Sequence, residues 1–317
     1  MSSSQKIIAS RACPISGSNE AVVVSRKDRH GKALRNVISQ HSGLIYVDPV
    51  PFKNTEEFYQ TEYRKSYKGV HKPKPKHVYR AGKIAKQRYS MLSDLLQSKA
   101  NCLDAGSSSG EFVYLLNSKG YNAQGVEASI PYAHYSESEL GIPVEITPFS
   151  EFSTDQNFDL ITMFHVLEHL EHPVRDLSHL GSLLKPNGYF VIEVPNILYP
   201  HMAFSNKWHP GHLFSFSAQT LCALMQIAGF RTISCEPVNN GGNLWGVFQY
   251  KQESELGTYP NSENSKSILN ALKRGKLIYH LRFWNYLKFI LKGLKQMEEK
   301  LFTNGKNGKE ILDHLYH

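Results

Sequence analysis

Cysteine is scarce in this 317-residue chain: Cys13, Cys102, Cys222 and Cys235 are the whole set. Four thiols spread so widely do not make the framework of a small disulfide-stapled domain; they suit reduced residues, with Cys102 in a buried strand. Also missing is an apolar run long enough to cross a bilayer, and "MSSSQKIIASRACPISG" lacks the continuous apolar core of a signal peptide. These absences favour a cytoplasmic protein. There is no internal repeat and no low-complexity block. What remains, 41% hydrophobic and 20% charged residues, is enough for one medium-sized domain with appendages and a proper core.

Charge is unevenly distributed. Residues 1–90 carry 18 basic against 6 acidic side chains, residues 91–258 carry 7 against 17, and residues 259–317 carry 11 against 5. An acidic centre therefore lies between basic flanks. Such flanks attract phosphate-bearing ligands, nucleic acid or an anionic membrane, or simply face solvent.

Between residues 101 and 250 short apolar runs alternate with amphipathic stretches, the pattern of a parallel α/β sheet. Strands are expected at "NCLDA", "NAQGVEA", "IPVEIT", "FDLITMF", "GYFVIEVP", "RTISCEP" and "LWGVFQY". Helices are expected at "EFVYLLNSKG", "PYAHYSESELG" and "SAQTLCALMQIAGF", the last opened by a serine cap and stopped at Gly229. "VNNGG" is too short for a crossover, so the last two strands should pair antiparallel at an edge. In front, "RKDRHGKALRNVISQHSGLIYVDPVP" reads as a small hairpin module and "YRKSYKGVHKPKPKHVYRAGK" as a connection. Behind, a linker leads to a helical tail whose apolar face would include Leu277, Leu281 and Trp284. The expected divisions are residues 1–75, 76–255 and 256–317.

The stretch "CLDAGSSSGEF" sits directly after a strand and before a helix. A turn of small residues there lets backbone amides and a helix N-terminus approach a ligand. The dinucleotide fingerprint G-x-G-x-x-G does not fit, because Ser108 stands where a middle glycine would be. Glu127 ends the next strand, where a carboxylate can accept both hydroxyls of a ribose.

With "LDAGSSSGEF", "GVEAS", "FDLITMFHVLEHL" and "LLKPNGYFVIEVPN" in this order, residues 80–250 resemble the class I S-adenosylmethionine-dependent methyltransferases. The resemblance implies a Rossmann-like, seven-stranded, mostly parallel sheet with an antiparallel last strand. It also implies S-adenosylmethionine as cofactor. By position, Asp104, Ala105, Gly106, Ser107, Ser108, Ser109 and Gly110 would cradle its methionine part. Glu127 and Ala128 would lie at the ribose and Phe149 near the adenine. Met163, Phe164 and His165 would line the sulfonium side. The front of the chain is similar to the zinc-ribbon module of methyltransferases acting on sugars, in which two C-x-x-C pairs bind zinc. The matching positions here are Cys13, Ser16, Ser39 and Ser42. Three serines are poor zinc donors, so a metal-free module held by packing is expected. Tyr63 and Tyr67 match positions that reach toward the active site in such enzymes.

"FHVLEHL" could place His165, Glu168 and His169 on one helical face. The pattern H-x-x-E-H also occurs in a class of zinc proteases, but here it follows a Rossmann strand. Related methyltransferases use E-x-x-E-H with a distal histidine to hold a divalent metal; His165 replaces the first Glu here, and His209 and His212 lie downstream. A divalent metal is thus an open but not favoured cofactor, and no metal ligand is assigned. The favoured reading is metal-free general-base catalysis by His169 or His212, with His165 nearby. Alternatively, Glu168 and His169 cap a helix while His209 and His212 order a loop. In similar sugar C-methyltransferases a His precedes the "GG", where this chain has Asn240, and a further C-terminal α/β domain is present. Both differences argue against C-methylation; O-methylation fits better, with N-methylation as the lesser alternative.

The expected activity is O-methylation of a small-molecule or glycosyl acceptor, a sugar or glycoconjugate precursor that can carry phosphate. The alternatives are an inactive cofactor-binding scaffold and an RNA methyltransferase. Nucleic acid is not expected as a partner, since no basic-aromatic RNA module is visible. Peripheral membrane contact through the C-terminal helices and a homodimer both remain open.

Overall fold

The computed structural model describes residues 5–52, 72–251, 262–281, 296 and 298–317. Tyr63, Tyr67 and Trp284 lie outside the described residues. Twelve strands are described, in two sheets.

The small sheet has the order β1-β2-β3-β4-β10, from β1 (Lys6–Ile8), β2 (Glu20–Lys27), β3 (Ala33–Ser39), β4 (Ile45–Val47) and β10 (Phe214–Ser215). The stretch expected as a hairpin module, residues 26–51, holds β3 and β4; β2, β1 and β10 extend it, all pairing antiparallel. The second sheet has seven strands, ordered β11-β12-β9-β8-β5-β6-β7. Its members are β5 (Asn101–Ala105), β6 (Asn122–Val126), β7 (Val144–Glu145), β8 (Phe158–Phe164), β9 (Leu184–Pro195), β11 (Phe230–Val238) and β12 (Asn243–Tyr250). β5 runs parallel to β6 and β8, and β6 to β7, while β11 and β12 form the antiparallel edge. This is the Rossmann-like α/β sheet expected from the pattern, with the third strand cut from six residues to two.

The chain divides into two compact units. One comprises Met1–Lys53, Phe164–Ser182 and Val191–Asn285; the other comprises Asn54–Met163, Leu183–Phe190 and Tyr286–His317.

In the first unit the small sheet shares a core with the C-terminal helix α6 (Ser262–Leu281). Val22, Ile38 and Ile45 cluster with Ile197, Trp208, Ile268 and Leu272. The apolar stripe of α6 is therefore Ile268 and Leu272, and Leu277, expected on that stripe, is 69% exposed. Spacing alone could not choose between them, because Ile268 and Leu272 are a turn apart on a helix with apolar residues on several sides. The four zinc-ribbon positions meet in the same unit: Cys13 Sγ lies 3.2 Å from Ser42 Oγ, and Ser16 Oγ 3.3 Å from Ser39 Oγ. Ser39 and Ser42 are fully buried, so these bonds satisfy hydroxyls that would otherwise be stranded. α4 (Pro173–Ser182) and α5 (Ala218–Ile227) complete the unit. As expected, Ser217 caps α5, accepting from the Thr220 amide in a capping box.

The second unit holds β5, α2 (Glu111–Ser118), β6, α3 (Ile130–Tyr135), β7 and β8. α1 (Pro75–Leu92) begins inside the stretch expected to be a connection. Its prolines read as a linker, but Pro75 occupies the first turn, where its missing N–H costs nothing. Val78, Tyr79, Gly82 and Ala85 then bury one face. α7 (Gly308–Tyr316) packs back on α1 and α2, with Tyr316 donating to the Glu111 carbonyl. Among the described residues no helix is long and apolar enough to cross a membrane.

Candidate functional site

The glycine-serine turn lies between β5 and α2. Three of its residues have positive φ: Gly106 at 84°, Ser108 at 54° and Gly110 at 82°. Ser108 thus takes the left-handed conformation that a glycine would take without strain, which answers why the turn survives without its middle glycine. The conformation is held from outside. Glu127, 6% exposed at the end of β6, accepts from the Ser108 amide at 2.8 Å through one oxygen and from the Ser129 amide at 2.8 Å through the other. The Gly106 and Ser107 amides donate to the Val126 carbonyl. Ser107 packs against Gly125, where a Cβ would sit 2.4 Å from its Oγ. That Oγ is buried and has no hydrogen-bond partner. Asp104 is buried, accepts from Thr162 Oγ at 2.7 Å, and has its pKa pushed up to about 6 by burial against the opposing pull of that bond. Ala105 is fully buried, Ala128 half-buried, Ser109 buried and bonded to Glu111, and Phe149 half-buried in the turn after β7. Met163 is fully buried near the end of β8.

Ser108→Gly is expected to raise stability by about 0.5–1 kcal/mol. Relief of left-handed strain, about 1–2 kcal/mol, exceeds the extra entropy of an unfolded glycine. The bonds to Glu127 and Ser136 use backbone atoms of residue 108 and survive the change. Denaturant unfolding checks it; an unchanged midpoint would mean that the serine is not strained.

In the first unit, Phe164 stacks on Trp245 with ring centroids 5.5 Å apart. His165 follows at φ 57°, outside any helix, and only Leu167–His169 form a 3-10 turn. His165, Glu168 and His169 therefore do not share a helical face; the chain reverses at His165 first. His165 Nδ1 lies 3.5 Å from Glu168 and its Nε2 3.7 Å from Glu193. Burial disfavours charge on this ring, but the two carboxylates outweigh it and raise the pKa to about 9, so His165 is a cation at neutral pH. That is the wrong protonation state for a base.

His169, His209 and His212 cluster: the His209 and His212 rings stack at 4.3 Å, and His169 meets His212 edge-on at 4.9 Å. Burial first, then neighbouring positive charge, drops the His209 pKa to about 3, and the same causes hold His212 well below its usual range. Both are neutral at pH 7. His169 Nδ1 donates to the Gly211 carbonyl at 2.7 Å, which leaves the Nε2 lone pair as its basic site. Glu168 is 1% exposed, and neither carboxylate oxygen has a hydrogen-bond partner. Its donor atoms and those of His169 and His212 all lie within 4.8 Å of one another. His165 and His209 are not part of that group.

Glu193, not foreseen as a site residue, sits buried on β9 and accepts from Asn239 at 3.1 Å and from Asn243. Asn239 and Asn240 both have positive φ, shaping the tight β11–β12 turn. The signal for Glu193 was available in "FVIEVP", a lone carboxylate in an otherwise apolar strand.

A family model described as methyltransferase domain matches residues 77–235. The ubiquinone biosynthesis O-methyltransferase of Rickettsia felis is 28% identical over 104 residues, 31% of this chain and 43% of that protein. That of Actinobacillus pleuropneumoniae is 28% identical over 120 residues, 32% of this chain and 51% of that protein. The chain thus spans about half or less of the length of these relatives. Among solved structures, magnesium protoporphyrin IX methyltransferase from Synechocystis with bound SAH is 12% identical, covering 62% of this chain and 98% of that one, with a TM-score of 0.49.

Proposed function

Because the chain belongs to the methyltransferase-domain family, within the class I S-adenosylmethionine-dependent methyltransferases, we propose that it methylates a hydroxyl of a sugar or glycoconjugate precursor, with His169 as general base. One observation carries the choice of base: the Nδ1–H bond to the Gly211 carbonyl fixes the tautomer in which Nε2 can take a proton. Oxygen as the acceptor atom agrees with the names of the curated relatives. A sugar agrees with the four meeting positions Cys13, Ser16, Ser39 and Ser42.

The turn residues fit the cofactor. Ser107 presents a buried, unpartnered hydroxyl, and the start of α2 follows at Gly110. Glu127 ends β6 with its two oxygens turned to the Ser108 and Ser129 amides, a carboxylate at the strand end where the ribose hydroxyls of the cofactor would bind. Bound there, S-adenosylmethionine supplies a methyl group on a sulfonium. His169 Nε2 would take the proton of an acceptor hydroxyl that receives this methyl group. His209 and His212, packed around His169, stay neutral and add no imidazolium charge of their own beside it.

A second reading rests on Glu168. Glu168 is buried with no hydrogen bond, and beside the His165 ring at 3.5 Å a bound ion would offset the cost of that burial further. Glu168, His169 and His212 would hold a divalent ion, and two imidazoles with one carboxylate suit a borderline metal better than Mg²⁺. Such an ion would supply Lewis-acid activation of the acceptor hydroxyl.

The cofactor assignment is tested by titrating S-adenosylhomocysteine calorimetrically into wild type and Glu127→Ala. Micromolar binding is expected for the wild type. The variant should bind about 10- to 100-fold more weakly, through lost charged hydrogen bonds and two stranded amides. Equal affinity would remove Glu127 from the ribose.

A further inference from the structure

A cavity of about 720 Å³ opens in the first unit between the N-terminal segment at Ser10–Ala12 and the start of α4, walled also by Phe214 and Ile227. Arg11 dominates its wall. The guanidinium carbon lies 4.7 Å from the Phe214 ring centroid and 5.3 Å from that of Tyr46, and Nη2 donates to the Leu213 carbonyl at 3.2 Å. Two aromatic faces hold the plane of the group without neutralising it. Its Nε is buried with no hydrogen-bond partner. Asp48, whose charge also acts on Arg11, is committed elsewhere: it accepts from the Ser10 and Arg11 amides, from Ser10 Oγ and from Arg35 Nη2. Across the cavity stand Arg175, which also pairs with Asp176 at 2.9 Å, the His172 imidazole and the exposed Glu171. The lining thus carries the Arg11 and Arg175 guanidiniums and the Glu171 carboxylate, with Asp176 paired to Arg175 in the first turn of α4, whose N-terminus adds the positive end of a helix.

We propose that this cavity is an oxyanion-binding site, with the stacked Arg11 guanidinium as its anchor and Arg175 as its second cation. A planar guanidinium that lines the cavity and is fixed by stacking is suited to pair with a phosphate or carboxylate. The chain links the cavity to the histidine cluster, since Glu171 and His172 follow His169 by two and three residues and Phe214 follows His212 by two. In this role the site holds the anionic arm of the methyl acceptor, an assignment that rests on the proposed function; oxyanion binding itself does not.

The probes are inorganic phosphate, methyl phosphate and acetate. Each is titrated into full-length wild type, Arg11→Gln and Arg175→Gln, and S-adenosylhomocysteine is titrated separately into the same proteins. Millimolar phosphate binding is expected in the wild type. Arg11→Gln should lose about tenfold or more in affinity and the exposed Arg175→Gln about threefold, with S-adenosylhomocysteine affinity unchanged in both. Binding of acetate in place of the phosphates, with the same loss in the variants, supports the site and names a carboxylate as its ligand. If Arg11→Gln does not fold, the shift of the Arg11 Nε–H signal on adding phosphate to wild type decides: movement supports the site, none overturns it. Absence of oxyanion binding in wild type, or equal binding in both folded variants, overturns the proposal. Loss of S-adenosylhomocysteine binding with phosphate binding intact counts against the methyltransferase reading alone.

Discussion

His169→Ala lowers turnover about 10²- to 10⁴-fold, the usual worth of a positioned general base, and leaves S-adenosylhomocysteine affinity where it was. The expectation follows from the protonation states around the ring. His165 is held as a cation by Glu168 and Glu193, and burial makes His209 and His212 too weakly basic to accept a proton near neutrality. His169 is the remaining imidazole of the group, with its Nδ1 proton tied to the Gly211 carbonyl. The rate is read as S-adenosylhomocysteine release with an acceptor found by screening sugars and sugar phosphates. The same assay separates the two catalytic readings. A base alone leaves the wild-type rate insensitive to a chelator and makes Glu168→Gln mild, because a neutral amide fills the same space. A metal held by Glu168, His169 and His212 makes the chelator and Glu168→Gln as damaging as His169→Ala. A rate in His169→Ala within a few fold of wild type would remove both readings at once.

The parts of the molecule that could be read in advance are those in which local pattern and tertiary need agree. "NCLDAGSSSGEF" is a buried strand, a turn of small residues and the start of an amphipathic helix in direct succession, and β5 and the start of α2 follow that reading to the residue. The antiparallel β11–β12 edge was fixed by a connection too short for anything else. α1 was hidden because its entry, "KPKPKH", carries the composition of a linker, while what makes it a helix is the face that Val78, Tyr79 and Ala85 bury. "HVLEH" has helical spacing, but the residue leaving β8 turns into the left-handed region and only Leu167–His169 form a 3-10 turn, so no helical face is made. Glu193 and Arg11 owe their settings in part to partners 46 and 202 residues away, and no local window contains those partners. Strain behaves likewise: "SSS" does not say which serine has a positive φ, and at Ser108 the answer is enforced by Glu127 from the next strand.

Gly110→Val abolishes measurable cofactor binding and destabilises the second unit by about 2–5 kcal/mol. Gly110 is the cap of α2, with φ at 82°. A β-branched residue is disfavoured there by more than the roughly 1–2 kcal/mol of an ordinary side chain. Space is also lacking. A Cβ at this position would lie 2.3 Å from Ile142 Cδ1 and 3.0 Å from Ser136 Oγ, and that serine also donates to the Ser108 carbonyl and to Tyr132. Ile142 can swing aside at the cost of overpacking, about 1–3 kcal/mol. Ser136 cannot move without releasing the turn itself, so the strain is directed into the loop rather than away from it. Gly120→Val provides the comparison: its φ is 84°, but nothing lies within 4 Å of its Cβ. That variant should suffer the conformational penalty alone and bind S-adenosylhomocysteine normally. If the two variants lose affinity equally, the effect is global unfolding; if Gly110→Val stays folded and still binds, the turn is not the cofactor cradle.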